Sequence, residues 1–350
     1  CPVMFGGGIT IVNGFLPSRL PLSASAWNFK YFPALSGNYF IHLYGDFMIT
    51  KALKNFNLRQ IADSGQCFRM VPCDPNRSQT AYRVISGRHF LIVEQTGDEV
   101  TFHCLSDEFA FWEHYFDLKT DYDTYIRAID PMDDYLSRAA AFGSGIRILN
   151  QDLWEMVITF IISQQKTIPA IRALVEALSE KYGTRNKIPP TVSGYYYAFP
   201  SPEELNRASL DDLLALKLGY RAKYIKRICE DACSGKLDLD RLRKLNYADS
   251  MEVLLSCYGI GVKVANCICL FGLHHIGAFP VDTWIKKILL REYAPKSHCT
   301  GHVPETRLCE ALIEENFSKY PGFAGVLQQY IFFYERDFLR KALQDTSVIK

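Results

Sequence analysis

The chain has 350 residues, a formal net charge of +1 and 48% apolar residues, values typical of a globular protein with more than one domain. The near-neutral charge argues against a histone-like protein that coats nucleic acid. It still permits a local basic surface that contacts a few phosphates. No apolar run reaches the length of a membrane span, so we expect no membrane partner.

The eleven cysteines show no paired spacing, and several lie in apolar helical runs such as "ANCICL". This pattern favours free thiols over disulfides and predicts a reducing compartment. We therefore expect a cytoplasmic protein.

Residues 1–47 show no clear periodicity, contain "FGGG" and do not resemble a signal peptide. We leave them unassigned. Met48 is a candidate natural start, which would make residues 1–47 an upstream extension.

The pattern from Met48 onward predicts an α+β fold. "AYRVISGRHFLIVEQTGDEVTFHCL" alternates apolar and polar residues around the turn signals "SGR" and "TGDE", which indicates an antiparallel sheet. From about Asp107 the periodicity is helical to the end. We predict a small N-terminal antiparallel β-sheet domain over residues 48–143 and a mostly helical domain over 144–345.

The helical part contains three helix pairs. In the first, "SQQK" breaks the pattern, Thr167 is the predicted N-cap, Pro169 lies in the first turn and Gly183 closes the second helix. The second pair breaks at Gly219 and the third at "YGIG". A further helix starts at Asp282 and a last one follows "PGF". We predict a loop for "IPPTVSGYYYAFPSP".

The third pair contains a lysine at an unusual position, because "CYGIGVKVAN" places Lys263 in the first turn of a helix. "GIG" alone is more typical of a tight connector, although such a turn before a helix N-terminus also suits a phosphate. The positive end of the helix dipole disfavours an ammonium ion there. A neutral amine is a nucleophile. Asp282, in "AFPVD", reads by itself as a plain N-cap.

Taken together, these segments resemble the 8-oxoguanine DNA glycosylase branch, in its bacterial form, of the helix–hairpin–helix Gly/Pro-Asp (HhH-GPD) superfamily. The resemblance covers residues 50–345, in the family's order, and rests on "SGQCFR", "RILNQDLWEMVITFIISQQ", "LGYRAKY", "LLSCYGIGVKVANCICL…AFPVD" and "AGVLQQYIFF". It implies a DNA glycosylase and lyase that acts on damaged double-stranded DNA without an organic cofactor. We expect a monomer that associates with the nucleoid in the cytoplasm, or that is nuclear in a eukaryote.

The resemblance also implies roles for single residues. Lys263 would attack C1′ of the deoxyribose, and Asp282 would hold the lysine and stabilise positive charge on the sugar. The backbone carbonyl of Gly65 would accept the N7–H that distinguishes 8-oxoguanine from guanine. The remaining base contacts would come from Gln328 on the pairing edge and from Phe332 and Cys267 on the two ring faces.

Other residues would contact the DNA. Gln165 would fill the space left by the everted base, Tyr220 would wedge beside the opposite base and Arg221 would contact that base. Gly259 and Gly261 would donate N–H groups to phosphate. The carbonyls of Cys257 and Gly259 are candidates to hold a bridging cation.

The chain departs from the family pattern at two positions. Ala170 stands where eukaryotic relatives have a second arginine, so a strict demand for cytosine opposite the lesion is not expected. Trp284 replaces a histidine two residues after the aspartate. Cys299 and Cys309 form no four-cysteine cluster, which argues against an iron–sulfur site.

Two other functions stay open. A monofunctional glycosylase for alkylated bases would activate water and would not need Lys263. A non-catalytic helix–hairpin–helix DNA-binding module would explain "GIG" but not the combination of Lys263, Asp282, Gly65 and Gln328.

Overall fold

The computed structural model describes residues 48–74, 80–188, 194–298, 301 and 303–347. Segment 1–47, which the sequence left unassigned, lies outside the described residues, and so does Cys299. The α+β architecture is confirmed. The seven described strands are β1 (Ile49–Ala52), β2 (Met70–Pro72), β3 (Ala81–Ser86), β4 (His89–Thr96), β5 (Glu99–His103), β6 (Arg185–Lys187) and β7 (Tyr195–Tyr197).

The described helices account for most of the rest of the chain. They are α1 (Leu58–Asp63), α2 (Phe109–Tyr115), α3 (Tyr122–Arg127), α4 (Asp134–Phe142), α5 (Leu153–Ser163), α6 (Ile168–Tyr182), α7 (Pro202–Asn206), α8 (Leu210–Ala215), α9 (Arg221–Cys233), α10 (Leu239–Leu242), α11 (Tyr247–Ser256), α12 (Val262–Gly272), α13 (Thr283–Ile288), α14 (Glu305–Phe317) and α15 (Ala324–Ser347). A π-helical turn over Leu289–Tyr293 and a 3₁₀ turn over Ala294–Lys296 follow α13.

The N-terminal strands form an antiparallel sheet in the order β1-β5-β4-β3-β2. The two predicted hairpins are present, with Ser86 paired to His89 and Thr96 to Glu99. Gly87 and Gly97 occupy the turns with positive φ angles, as two-residue hairpin loops require. One face of the sheet packs on α1 and α2 around Trp112.

The prediction of uninterrupted helix after Asp107 is wrong at one place. Part of the predicted loop "IPPTVSGYYYAFPSP" is a strand: β6 and β7 pair as a small antiparallel ribbon. Tyr196 on this ribbon is buried against Ile85 and Phe90 of the sheet, and its hydroxyl donates to the Arg88 carbonyl. Burial of one aromatic face therefore stabilises a strand too short to show a periodic pattern.

Helix α5 is the centre of the helical core, because its residues from Leu153 to Ile162 are buried on every side. It packs against α6, α9 and α12. Thr167 and Gly183 bound α6 as predicted, although the Thr167 hydroxyl makes no capping hydrogen bond. Helix α4, which precedes the domain boundary predicted at residue 143, packs against α15 at the end of the described chain. That boundary stays a prediction.

The described cysteines are free thiols, in agreement with the prediction. Within the described residues, no helix is both long enough and apolar enough to cross a membrane.

Glu155 is a buried carboxyl at the contact between the sheet and α5. It is 5% exposed, and its Oε2 accepts the Gly87 N–H at 3.3 Å. Burial raises the pKa of Glu155 to about 7, although the nearby Arg69 opposes the shift. Between pH 4.5 and about 7 the native state thus holds a proton that the unfolded chain has released. The free energy of unfolding contributed by this group falls as the pH rises through that window.

We therefore expect Glu155→Gln to stabilise the fold at about pH 8 by up to about 3 kcal/mol, and to have little effect at about pH 5. The glutamine keeps an oxygen for the Gly87 N–H but never ionises. Urea titrations at the two pH values measure the difference. Glu180→Gln, at an exposed position on α6, is the control. An equal effect of Glu155→Gln at both pH values would contradict this explanation.

Candidate active site

A pocket between the sheet domain and the helices brings together the predicted catalytic and base-binding residues. It contains about 350 Å³ of empty space, part of which is open solvent. The predicted residues that line it are Gly65, Lys263, Cys267, Asp282, Gln328 and Phe332. Ser64, Phe160, Phe271, Pro280 and Gln329 complete the wall.

Lys263 reaches the pocket from the first turn of α12. Its Nζ lies 3.5 Å from Ser163 Oγ and 5.6 Å from the centroid of the Phe160 ring, both on α5. The first turn of α12 carries no acidic residue. Among the described residues, no carboxylate lies within ion-pair distance of this nitrogen. The amine therefore faces the pocket next to a hydroxyl and an aromatic ring, without a salt bridge that would occupy it.

Asp282 is the N-cap of α13, as the sequence predicted. Its Oδ1 accepts the backbone N–H groups of Trp284 at 3.0 Å and Ile285 at 2.8 Å. These bonds orient the carboxylate, and the helix N-terminus stabilises its negative charge. The predicted hold on Lys263 is not a direct ion pair in this structure. Both residues line the same pocket.

Gly65 lies where the segment 64–69 meets α15. It has a φ of +81°, and a β carbon built there would lie 3.0 Å from Phe332 Cε1. Two independent constraints thus favour glycine: the left-handed backbone and the close approach of the Phe332 ring. The neighbouring Gln66 donates to the Arg147 carbonyl and accepts the Leu149 N–H, so this segment is tied to the chain that leads into α5.

Gln328 and Phe332 stand one turn apart on α15 and face the same pocket. Gln328 is only 3% exposed, and its Nε2 donates to the Pro280 carbonyl at 3.3 Å. Cys267 lies one turn after Lys263 on α12. Burial raises the pKa of the Cys267 thiol although Lys263 opposes the shift, so the thiol is neutral near pH 7 and acts as an apolar wall.

The two hairpin glycines differ in their surroundings. Gly259 has a φ of +90°, and a β carbon there would overlap the ring of Tyr224. Its carbonyl accepts from Gln164 Nε2 at 3.0 Å. Gly261 is the N-cap of α12 with a φ of −97°, and a β carbon there would meet no heavy atom of the described residues within 4 Å. Glycine is thus required by the fold at 259, whereas at 261 the surface in front of the backbone is open.

The predicted cation ligands already make hydrogen bonds inside the hairpin. The Cys257 carbonyl accepts from the Ile260 N–H at 3.2 Å, and the Gly259 carbonyl accepts from Gln164. Each carbonyl oxygen keeps a second lone pair for a further partner. The cation site stays a prediction.

Gln165 and Tyr220 are on the surface, as their predicted contacts with DNA require. Gln165 is exposed and adopts a φ of +51° at the break between α5 and α6. Tyr220 is 43% exposed, and its ring packs edge-on against Tyr224, which in turn packs edge-on against the exposed Tyr258. An aromatic surface thus borders the hairpin.

Arg221 is not on that surface. It is 5% exposed, its Nε donates to the Gln164 carbonyl at 2.8 Å, and its Nη1 donates to the Leu218 carbonyl. The side chain therefore holds the break after α5 in place. Its predicted contact with the opposite base gains no support from this position and stays a prediction.

The sequence did not indicate several residues of the site, among them Phe160, Gln164 and Gln329. Phe160 belongs to an apolar helix, which gave no sign that its ring would reach the lysine. Gln164 is adjacent to the predicted Gln165, and only the fold shows that it is the residue bonded to the hairpin. Gln329 follows Gln328, and on a helix consecutive residues point in different directions, so its presence in the same pocket was not expected.

The fold and the pocket define a helix–hairpin–helix protein of the class that excises bases. The family model described as the N-terminal domain of 8-oxoguanine DNA glycosylase matches residues 48–157, and the model described as the HhH-GPD superfamily base excision DNA repair protein matches residues 158–314. The chain therefore belongs to the 8-oxoguanine DNA glycosylase family of the HhH-GPD superfamily.

Known relatives agree with this assignment. An N-glycosylase/DNA lyase of Saccharomyces cerevisiae is 37% identical over 47% of this chain and 46% of its own length. A probable N-glycosylase/DNA lyase of Methanothermobacter thermautotrophicus is 30% identical over 64% of this chain and 73% of its own length. The alignment thus spans about half of the yeast relative.

Among solved structures, the 8-oxoguanine glycosylase/lyase of Clostridium acetobutylicum in its apo form is 33% identical. It superposes with a TM-score of 0.73, over 82% of this chain and 96% of its own. Because these three relatives come from a yeast, an archaeon and a bacterium, the bacterial form of the family predicted from the sequence stays a prediction.

The different surroundings of Gly259 and Gly261 predict that alanine at the two positions changes the free energy of unfolding by different amounts. Gly259→Ala should lower the free energy of unfolding by roughly 2–5 kcal/mol, because it adds both backbone strain and overlap with Tyr224. Gly261→Ala should change it by less than about 0.5 kcal/mol, because its backbone is ordinary and its surroundings are open. Denaturant unfolding of the two variants tests the difference, and similar losses in both would contradict the described packing.

Proposed function

We propose that this protein is a bifunctional N-glycosylase and DNA lyase that removes 8-oxoguanine from double-stranded DNA. The observation that carries the proposal is that Lys263, Asp282, Gly65, Gln328 and Phe332, from four separate parts of the sequence, line one pocket. The structural relative from Clostridium acetobutylicum supports the substrate, since it has also been solved in complex with double-stranded DNA that contains cytosine opposite 8-oxoguanine.

The chemistry begins with an everted nucleotide, because the glycosidic bond cannot be reached inside the duplex. The lone pair of Lys263 Nζ attacks C1′ of the deoxyribose. The C1′–N9 bond breaks, and the base departs with the bonding electrons and takes up a proton. Asp282, fixed by its two backbone N–H bonds, stabilises the positive charge that develops on the sugar.

The lyase step follows from the same covalent bond. Loss of a proton from nitrogen and opening of the sugar ring give a Schiff base between Lys263 and C1′. The imine acidifies the proton on C2′, whose loss expels the 3′ phosphate by β-elimination. Hydrolysis of the remaining imine returns the free amine.

Lesion recognition in this proposal rests on the Gly65 carbonyl and on the two residues of α15. An N7–H is present in 8-oxoguanine and absent from guanine, so one backbone acceptor separates the two bases by roughly 1–3 kcal/mol. The ring of Phe332 packs on one face of the base and the neutral Cys267 thiol on the other. Gln328 bonds to the pairing edge.

The hairpin supplies the contact with the DNA backbone. The open surface in front of Gly261 allows a phosphate to approach the N-terminus of α12, where the helix dipole and the N–H groups favour an anion. Exposed Gln165 lies at the break after α5, where it can fill the space left by the everted base, and exposed Tyr220 lies at the start of α9, where it can wedge beside the opposite base. We further propose that the protein acts as a monomer, without an organic cofactor, in the nucleoid or the nucleus.

The alternatives explain less of the pocket. A monofunctional glycosylase would use water as its nucleophile and would gain nothing from an amine that faces the base site. A non-catalytic DNA-binding module would need the hairpin but not a buried amide, an aromatic ring and a glycine with a left-handed backbone around one cavity.

Borohydride trapping on an 8-oxoguanine duplex tests the proposal. The wild-type protein should yield a covalent protein–DNA adduct, because borohydride reduces the imine to a stable amine. Lys263→Gln should yield none, while its affinity for the duplex changes by less than about tenfold. Lys181→Gln is the matched control, because Lys181 is bound to Asp212 at the surface of α6.

Two results would reject the proposed reaction. The first is the absence of any adduct with the folded wild-type protein, and the second is an undiminished adduct with Lys263→Gln.

A further inference from the structure

Gln329 is a buried amide in the pocket to which the proposed reaction gives no role. It is 4% exposed and lines the pocket beside Gln328. Its Nε2 donates to Gln328 Oε1 at 2.9 Å. Its own Oε1 is buried and has no hydrogen-bond partner among the residues that the structure describes.

The direction of these hydrogen bonds is fixed by Pro280. A backbone carbonyl can only accept, so Gln328 must turn its NH₂ group toward the Pro280 oxygen. The Gln328 oxygen then faces Gln329, which must supply the N–H. A half-turn of the Gln328 amide would place oxygen against oxygen at Pro280 and nitrogen against nitrogen at Gln329. The two contacts together therefore hold Gln328 in one of its two amide orientations.

This orientation matters for a purine of the guanine type. The pairing edge of such a base presents two donors, the N1–H and the exocyclic amine, beside the O6 acceptor. Gln328 retains one N–H and one oxygen lone pair for this edge. In the wrong orientation the amide would set its N–H groups against the donors of the base and lose the interaction.

We propose that Gln329 is a positioning residue that holds the Gln328 amide in the orientation that matches the pairing edge of the everted base. The inference rests on the proposed function and adds to it a residue that acts on specificity without touching the sugar. The proposal also explains why Gln329 Oε1 is buried without a hydrogen-bond partner among the described residues. A buried acceptor without a partner costs stability, and an apolar side chain of similar volume would avoid that cost. A residue kept only for packing would not need the amide.

The test compares Gln329→Met, Gln328→Met and the double variant. Methionine has a similar volume to glutamine and lacks the N–H group. In single-turnover excision of 8-oxoguanine, Gln329→Met should be about tenfold slower than the wild type. The double variant should be no slower than Gln328→Met alone, because Gln329 acts only through Gln328.

Two further readouts separate positioning from structural damage. Strand cleavage at a preformed abasic site, which has no base to recognise, should slow much less than excision does in Gln329→Met. Its thermal midpoint should stay within a few degrees of the wild type, because one buried unpaired oxygen, that of Gln329, is exchanged for another, that of Gln328. Wild-type rates of excision in Gln329→Met, or effects of the two substitutions that multiply in the double variant, would overturn the inference while leaving the proposed reaction intact. Failure of the wild-type protein to excise the lesion would instead count against the proposed function.

Discussion

The hydrogen bond from Gln164 to the Gly259 carbonyl joins the two helix breaks on which the site depends. One break ends α5, which carries Phe160 and Ser163, and the other precedes α12, which carries Lys263. Tyr224 packs under Gly259 at a distance that only a glycine permits. The start of α12 is thereby held at a constant distance from the end of α5. The position of the Lys263 amine follows from this arrangement.

The other half of the pocket depends on contacts between the sheet domain and the helices. Gln66 accepts and donates hydrogen bonds within the segment that leads into α5, which positions Gly65 opposite Phe332. The hairpin before α12 and the loop after α1 are thus both tied to the two ends of α5. Since α5 is buried on every side, it is a rigid reference for both. The proposed chemistry needs this rigidity, because a nucleophile must be held close to the atom that it attacks.

Much of the fold and of the pocket could be predicted from the sequence, because the capping and turn preferences of single residues agree with the final fold. The N-cap at Asp282, the bounds of α6 and the hairpin turns at Gly87 and Gly97 each follow from one residue type at a required position. The five separated segments gave the family and the residues of the pocket. The short ribbon of β6 and β7 was missed because its stability comes from Tyr196 packing on a distant hairpin, which no local pattern reveals.

The side-chain orientations at the site could not be predicted. The sequence placed Arg221 beside a tyrosine and a lysine on a basic helix, but only the fold shows that its guanidinium is bonded to carbonyls within the protein. Likewise, no pattern indicates that Gln164, and not Gln165, is bonded to the hairpin. The direct contact expected between Asp282 and Lys263 is replaced by two backbone bonds at the carboxylate.

The central claim is that the amine of Lys263, among all the amines of the chain, is the one that forms a bond to the sugar. Proteolysis of the borohydride-trapped complex followed by mass spectrometry of the DNA-linked peptide measures this directly. The account predicts one modified peptide, with the nucleotide attached at Lys263. Attachment at another lysine or at the N-terminal amine would contradict it.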